Sequence, residues 1–474
     1  MLTYNFTEIG SDSMYEYLYR CIKDDILHGV LSAGTKLPSK RIFAKNLGIS
    51  VITVENAYGQ LMAEGYIYSI PKKGFYVCEL KEIYMNNMIS EEEDMEEDTQ
   101  TKLISMDQEE KEYFADFSNN QTDTDVFPFS IWSKTMREVM NGNQEQLMTN
   151  APGAGIMELR EAIVKYLKQF RGMQVKAEQI VVGAGTDYLY GLLVQLLGRQ
   201  VIYGVENPGY HKIAKIFEQM NAPYCYIDVD QDGVSAQKLE EKEVDVIHIS
   251  PSHHFPTGIV MPISRRYELL GWASRKEGRY IIEDDYDSEL RLTGKPIPTL
   301  QSIDVSDQVI YINTFTKTLC STVRISYMVL PEPLLRKFYE NLGFYSCTVS
   351  NFEQYILARF MENGSFEKHL NRLRNYYQNK RDRIMEAFRE KPLGERITIT
   401  EEDAGVHFLM KIHTEKKEED MIADVKKKGI KLVPISQYYQ GEKKHFDNTY
   451  VMNYSSIKME RVQEIASKLL LALT

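Results

Sequence analysis

Two folded units of different class are predicted along this chain of 474 residues: a small three-helix unit closed by a β-hairpin, then a large α/β unit on a mainly parallel sheet. Helical periodicity recurs three times before residue 65, each time closed by a glycine. From residue 113 onward, short apolar runs alternate with helical patterns, and the stretch between the two units is too acidic to bury itself.

In the first unit, Met14 to Leu27 sets Tyr15, Leu18, Tyr19, Ile22 and Ile26 three and four residues apart, and His28-Gly29 ends that helix. Ser39, just after Pro38, caps a short second helix with Ile42, Phe43 and Leu47 on its apolar side, and Gly48 turns the chain. Ser50 caps a third helix on which Val51, Val54, Tyr58 and Leu61 or Met62 repeat until Gly65. Two strand-like runs, Tyr66 to Ile70 and Phe75 to Cys78, flank the turn PKKG, which projects as a wing.

A helix, a turn and a second helix form a geometry that lays the second helix in the major groove of DNA. Phosphate contacts position such a unit and base contacts specify its sequence. On that reading Lys40 and Arg41 begin the second helix, with Arg41 and the wing residues Lys72 and Lys73 assigned to phosphates. Ile52, Thr53 and Asn56 are assigned to the groove. The competing reading is a protein-docking module with solvated lysines.

Charge permits a DNA partner despite a formal net charge of -12. Residues 81–112 hold twelve acids against three lysines, whereas residues 1–80 balance eight against eight. The acidic run is read as an extended linker, giving domains at 1–80, 81–112 and 113–474, the last divided into a large part at 113–330 and a small part at 331–474. A hydrophobic fraction of 43% with 26% charged residues is ordinary for a globular chain. No apolar run is long enough to span a membrane and MLTYNFTEIG is unlike a signal peptide, so a cytoplasmic location is expected. Five scattered cysteines read as reduced thiols, and no metal site is expected.

Within 113–474 the strand-like runs are Gln179 to Val182, Val201 to Val205, Val244 to Ile249, Tyr280 to Glu283 and Val309 to Asn313. Several chemically suggestive residues fall just beyond them. Lys317, in NTFTKTL, stands past one run in a hydroxyl-rich context suited to a lysine that binds an aldehyde cofactor as a Schiff base. Arg324 and Thr314 are candidates for a phosphate group, as are Gly185 and Thr186 in GAGTD at a helix start. Asp284 in IIEDDYDSE could hold a protonated pyridine nitrogen, Tyr286 could donate to a ring phenolate and Tyr210 in ENPGYH could stack on the ring. Singly, each has a structural explanation; their joint occurrence in this order carries the reading.

The N-terminal motifs GTKLPSKR (34–41), LGIS (47–50), Thr53-Val54, YGQL (58–61), EGYI (64–67) and KGFYV (73–77) resemble the GntR regulators. Val51 departs from that pattern, which often has arginine there. The second unit resembles the fold-type I aminotransferases through the residues above and through APGAG (151–155), LREAI (159–163), YLKQFRG (166–172), SPSHHFPTG (250–258) and RISYMVLP (324–331). Together they resemble the MocR-type regulators.

That resemblance implies pyridoxal 5'-phosphate (PLP) held as an internal aldimine by Lys317, a head-to-tail homodimer, and control of DNA binding by a small-molecule effector: PLP itself, an amine or an amino acid. Two departures bear on catalysis. Phe255 stands where aminotransferases commonly have asparagine, and the segment MNYSSI (452–457) has Ser456 where their carboxylate-binding arginine is expected. A PLP-dependent DNA-binding regulator with little or no turnover is therefore expected, the alternative being a working aminotransferase with an appended DNA-binding unit.

Overall fold

The computed structural model describes residues 2–4, 6, 13–79, 113–118, 123, 125–292, 297–403, 405–441 and 448–473. Contacts divide the chain into two units, Met1–Lys111 and Glu112–Thr474. Of the stretch read as an acidic linker, 81–112, every residue lies outside the described ones.

The first unit runs α1 (Met14–Leu27), β1 (Lys36–Leu37), α2 (Lys40–Leu47), α3 (Val51–Ala63), β2 (Ile67–Ile70) and β3 (Gly74–Val77). Its termini are set by local chemistry. The Ser39 hydroxyl accepts from the Ile42 amide and the Ser50 hydroxyl from the Thr53 amide, each meeting a donor that the helix start leaves unpaired. Gly48 ends α2 at φ 68°, a conformation that disfavours a side chain. Leu18, Ile22, Phe43, Val54, Tyr58 and Leu61 close the core, and the Tyr58 hydroxyl donates to the Pro38 carbonyl. The two-residue β1, which sequence periodicity is too short to reveal, pairs with β3 and makes the hairpin a three-stranded sheet.

The second unit is built on seven strands: β5 (Ile180–Gly183), β6 (Tyr203–Asn207), β7 (Tyr224–Asp228), β8 (Val246–Ile249), β9 (Tyr280–Asp284), β10 (Val309–Thr314) and β11 (Ser326–Val329). Their spatial order is β5-β11-β10-β9-β8-β6-β7, and only β11 is antiparallel to its neighbours. Helices cover both faces. Ile310 and Ile312 of β10 pack with Leu189, Leu193 and Phe217, while Tyr311 between them joins Leu159, Leu167 and Tyr327 in a different cluster. Burial of both faces is why the parallel strands read as unbroken apolar runs.

A small α+β part follows the long helix Ser365–Arg389. Its antiparallel sheet has the order β12 (Ile397–Thr400), β13 (His407–Ile412), β16 (Thr449–Asn453) and β15 (Val433–Pro434). The sequence reading assigned 113–330 to the large part, but β4 (Ala115–Asp116) pairs with β14 (Ile430–Lys431), and Phe117 packs into the C-terminal core. A two-residue strand paired more than three hundred positions away leaves no local signal.

Phe43 is fully buried in a core belonging to the first unit alone. Phe43→Ala is expected to cost that unit about 3–5 kcal/mol and to leave the unfolding transition of Glu112–Thr474 unmoved. Calorimetry of the full chain, resolving the two transitions, measures this.

Candidate functional site

In an open α/β sheet, ligands meet the carboxyl ends of the parallel strands, where loops and helix N-termini present polar groups. Here β9 ends at Asp284, β10 at Thr314 and β5 just before Gly185, which caps the helix Thr186–Leu197 at φ 91°. A cavity of about 450 Å³ lies at these ends, and Thr186, Tyr210, Asp284, Tyr286, Thr314, Lys317 and Arg324 all line it. Gly185 touches it indirectly: a Cβ there would stand 2.9 Å from the Arg324 Cζ, inside the space of the guanidinium. The structure therefore brings together all eight residues selected from sequence in this unit.

Of the three aspartates in DDYD, only Asp284 lines the cavity. Asp285 is tied to Arg171 (2.9 Å) and Asp287 to His253 (2.8 Å), all four being buried. Asp284 Oδ2 accepts from the Tyr190 hydroxyl at 2.9 Å, and that hydroxyl lies 2.8 Å from His248 Nε2. Its other oxygen, Oδ1, is enclosed and without a hydrogen-bond partner. A buried unpaired acceptor calls for a donor from a bound molecule, and the pyridinium N–H of PLP would supply one.

Lys317 is partly buried, with its amine 5.9 Å from the centre of the Tyr286 ring. Removal from water lowers its pKa below the ordinary lysine value, while Asp287 and Asp284 pull the other way. The Tyr286 phenol is pushed well up by burial and, next, by the Asp287 charge, so it stays a donor.

At the other end Arg324 and Lys212 converge on Asp187, at 3.1 and 2.6 Å. The Thr314 hydroxyl meets those of Thr316 and Ser326, both at 2.8 Å. Cations, hydroxyls and a helix start suit a phosphate. Tyr190, Asp187, Lys212 and His248 were missed from sequence, because each acts through a partner distant along the chain.

Phe255 stands in the cavity wall with its ring edge-on to Tyr210 (6.1 Å between centres) and Tyr438 (5.0 Å). The Ser456 assignment needs correction: its hydroxyl donates to the Asp116 carbonyl (3.2 Å) and it does not line the cavity. The residues that β16 turns toward the cavity are Val451 and Asn453. His253, Asp287 and His407 also gather behind the wall, their polar atoms within 4.8 Å of one another, a grouping of ligand type that sequence did not suggest.

On the first unit, Arg41, Ile52, Asn56, Lys72 and Lys73 are exposed, and Val54, Ala57 and Tyr58 form the buried side of α3. Thr53 is half-buried, with its hydroxyl 2.8 Å from that of Ser50. Lys72 occupies the tip of the hairpin at φ 63°. Lys40 differs from its neighbours: its amine pairs with Glu55 at 2.7 Å and lies over the Phe75 ring, so it is less available than Arg41.

Glu206, in the cavity wall, has its carboxyl pushed up to about 8 by burial, against the lowering effect of the Ser250 amide that donates to it. A carboxyl raised on folding contributes stability that is complete below its unfolded pKa and is lost as pH rises through the folded value. Glu206→Gln keeps the acceptor for Ser250 but cannot ionise. Its melting temperature should therefore gain on that of the wild type between about pH 5 and about pH 8, and the gap should level off above that. Thermal melts across pH check the sign.

Comparison with known proteins agrees with both units. Residues 14–77 match the model for bacterial regulatory proteins of the gntR family, and residues 114–467 that for aminotransferase class I and II. The HTH-type transcriptional regulator YdeL of Bacillus subtilis is 39% identical over 90% of this chain and 90% of its own length. The probable rhizopine catabolism regulatory protein MocR of Rhizobium meliloti is 30% identical over 90% of this chain and 87% of its own. Among solved structures, kynurenine aminotransferase of Pyrococcus horikoshii superposes with a TM-score of 0.66 at 26% identity, covering 77% of this chain and 91% of that one. The chain thus belongs to the MocR-type transcription regulators, in which a gntR-family helix-turn-helix unit precedes an aminotransferase-like unit of class I and II that uses pyridoxal phosphate.

Proposed function

We propose that this regulator works in the cytoplasm as a head-to-tail homodimer, and that Lys317 holds PLP while the occupant of the surrounding cavity sets how the first unit engages its operator. The observation that carries the reading is the pairing of a lysine of lowered pKa with an aspartate whose enclosed oxygen lacks a donor, across one cavity. When bound, PLP supplies an aldehyde carbon that joins to primary amines and a ring that draws electrons from it.

The chain's own residues do the rest. Asp284 takes the ring N–H and is kept in place by Tyr190; Tyr286 donates to the ring oxygen; Tyr210 covers one ring face. Arg324, Thr314, Thr186 and the backbone at Gly185 hold the phosphate, and the absence of a side chain at Gly185 leaves room for the guanidinium. A homodimer is supported by exposed apolar side chains on the helix Phe129–Gly142 and just after it: Phe129, Met136, Met140 and Met148. No helix among the described residues is long and apolar enough to cross a membrane.

Lys317→Ala should abolish the visible absorption of protein-bound PLP while the chain stays folded. Absorption spectra and melting curves of the two proteins decide it, and an unchanged band in the variant rejects the assignment.

On the DNA side, Arg41, Lys72 and Lys73 contact phosphates, while Ile52, Thr53 and Asn56 face base edges. Replacing the three cations by alanine should weaken operator and scrambled DNA alike and lower the log-log salt slope by roughly 2 to 3. Thr53→Ala with Asn56→Ala should instead narrow the gap between operator and scrambled DNA, each base contact being worth ~1–3 kcal/mol. Binding curves over a salt series on the region upstream of the protein's own gene separate the two effects. An unchanged slope in the triple variant would leave the docking-module reading standing.

A further inference from the structure

The cavity has two chemically distinct ends. Three lysine or arginine residues stand among its described lining residues: Lys212, Arg324 and Lys317. The first two are drawn together on Asp187 beside Thr186, and the third is the amine that takes the cofactor. The opposite wall comes from the small C-terminal part. There β16 alternates, sending Tyr450 and Met452 into the apolar core and Val451 and Asn453 to the cavity. Val433 of β15, the cross-strand partner of Val451, extends that surface. Phe117 and Ser118 lie alongside, tied in by the Asn453 amide that donates to the Phe117 carbonyl. Phe255 and Tyr438 close the aromatic side.

A carboxylate placed against this wall would leave water for two valines, aromatic edges and the neutral groups of Ser118 and Asn453. Ionised groups removed from water need a charged or multiply donating partner, and none of these described wall residues carries a positive charge. A second ammonium is equally unsupported, since the wall offers no acid; the cavity acids Asp187, Glu206 and Asp284 stand on the sheet side.

We infer that the effector is a primary amine whose remaining part is uncharged and largely apolar or aromatic, and that it is not an α-amino acid. This rests on the reading that Lys317 holds PLP. The incoming amine nitrogen bonds to the cofactor's aldehyde-derived carbon as that carbon's bond to Lys317 Nζ breaks. Both protons of the incoming amine end on the lysine, and no electrons change hands.

The test uses the full chain loaded with PLP and matched pairs that differ only in the carboxylate: phenethylamine with phenylalanine, tyramine with tyrosine, isoamylamine with leucine. The readouts are the visible spectrum of the bound cofactor and the apparent Kd from its titration. Each amine should act at a concentration roughly tenfold or more below that of its amino acid. Val451→Arg, which adds the missing cation, should reverse that order; Val433→Arg serves the same purpose should the first variant fold poorly. Amino acids that bind the wild type as tightly as the amines would overturn the inference, as would a spectrum that no member of any pair alters. Both outcomes leave the PLP reading intact, because the lysine-bound cofactor still absorbs. A wild-type chain that takes up no PLP removes both.

Discussion

Arg171 and Asp285 form an ion pair from which water is almost entirely excluded, and the turn beyond β9 is organised around it. Asp285 also accepts from the Tyr311 and Ser288 hydroxyls at 2.6 and 2.8 Å, its amide donates to the Ile312 carbonyl, and its carbonyl accepts from the Asn313 side chain. With that residue held through Oδ2 and both of its backbone polar groups, its neighbours diverge: Asp284 goes to the cavity and Asp287 to His253. Removing one member of such a pair typically costs about 3–5 kcal/mol, because the other charge is left stranded. The specific geometry at Asp284 therefore depends on a pair that never touches the cavity.

The same logic explains what could be read in advance. Ser39, Gly48 and Ser50 act within a few residues of themselves, so the helices of the first unit were legible almost residue by residue. The parallel strands announced themselves as apolar runs, and residues just past them were easily suspected of chemistry. By contrast, β7 (Tyr224–Asp228) is half-exposed with tyrosines and a cysteine, and gave no comparable run. Asp284 could be picked from DDYD only as one of three; what singles it out is that Arg171 and His253 claim the other two. Tyr190, far along the chain from Asp284, carried no mark of its role.

The misplaced Ser456 has a comparable cause. Ser456 lies three residues beyond the end of β16, in a turn, where the alternation that aims Val451 and Asn453 at the cavity no longer holds. Reading β16 from its pairing with β13 fixes that alternation, since Phe408, Met410, Tyr450 and Met452 all belong to one core. Phe255 likewise gains its meaning from Tyr210 and Tyr438, with which it builds an aromatic corner in place of a polar contact.

One consequence lies in the short β4. Phe117 and Ser118, in the wall of the cavity, immediately follow the strand by which the chain is stitched onto the small part through β14. The residues that greet a ligand are thus also the mooring of the polypeptide that leads back to the first unit. A molecule that reached Ser118 would stand two residues from that mooring, on the stretch of chain that runs back toward the first unit.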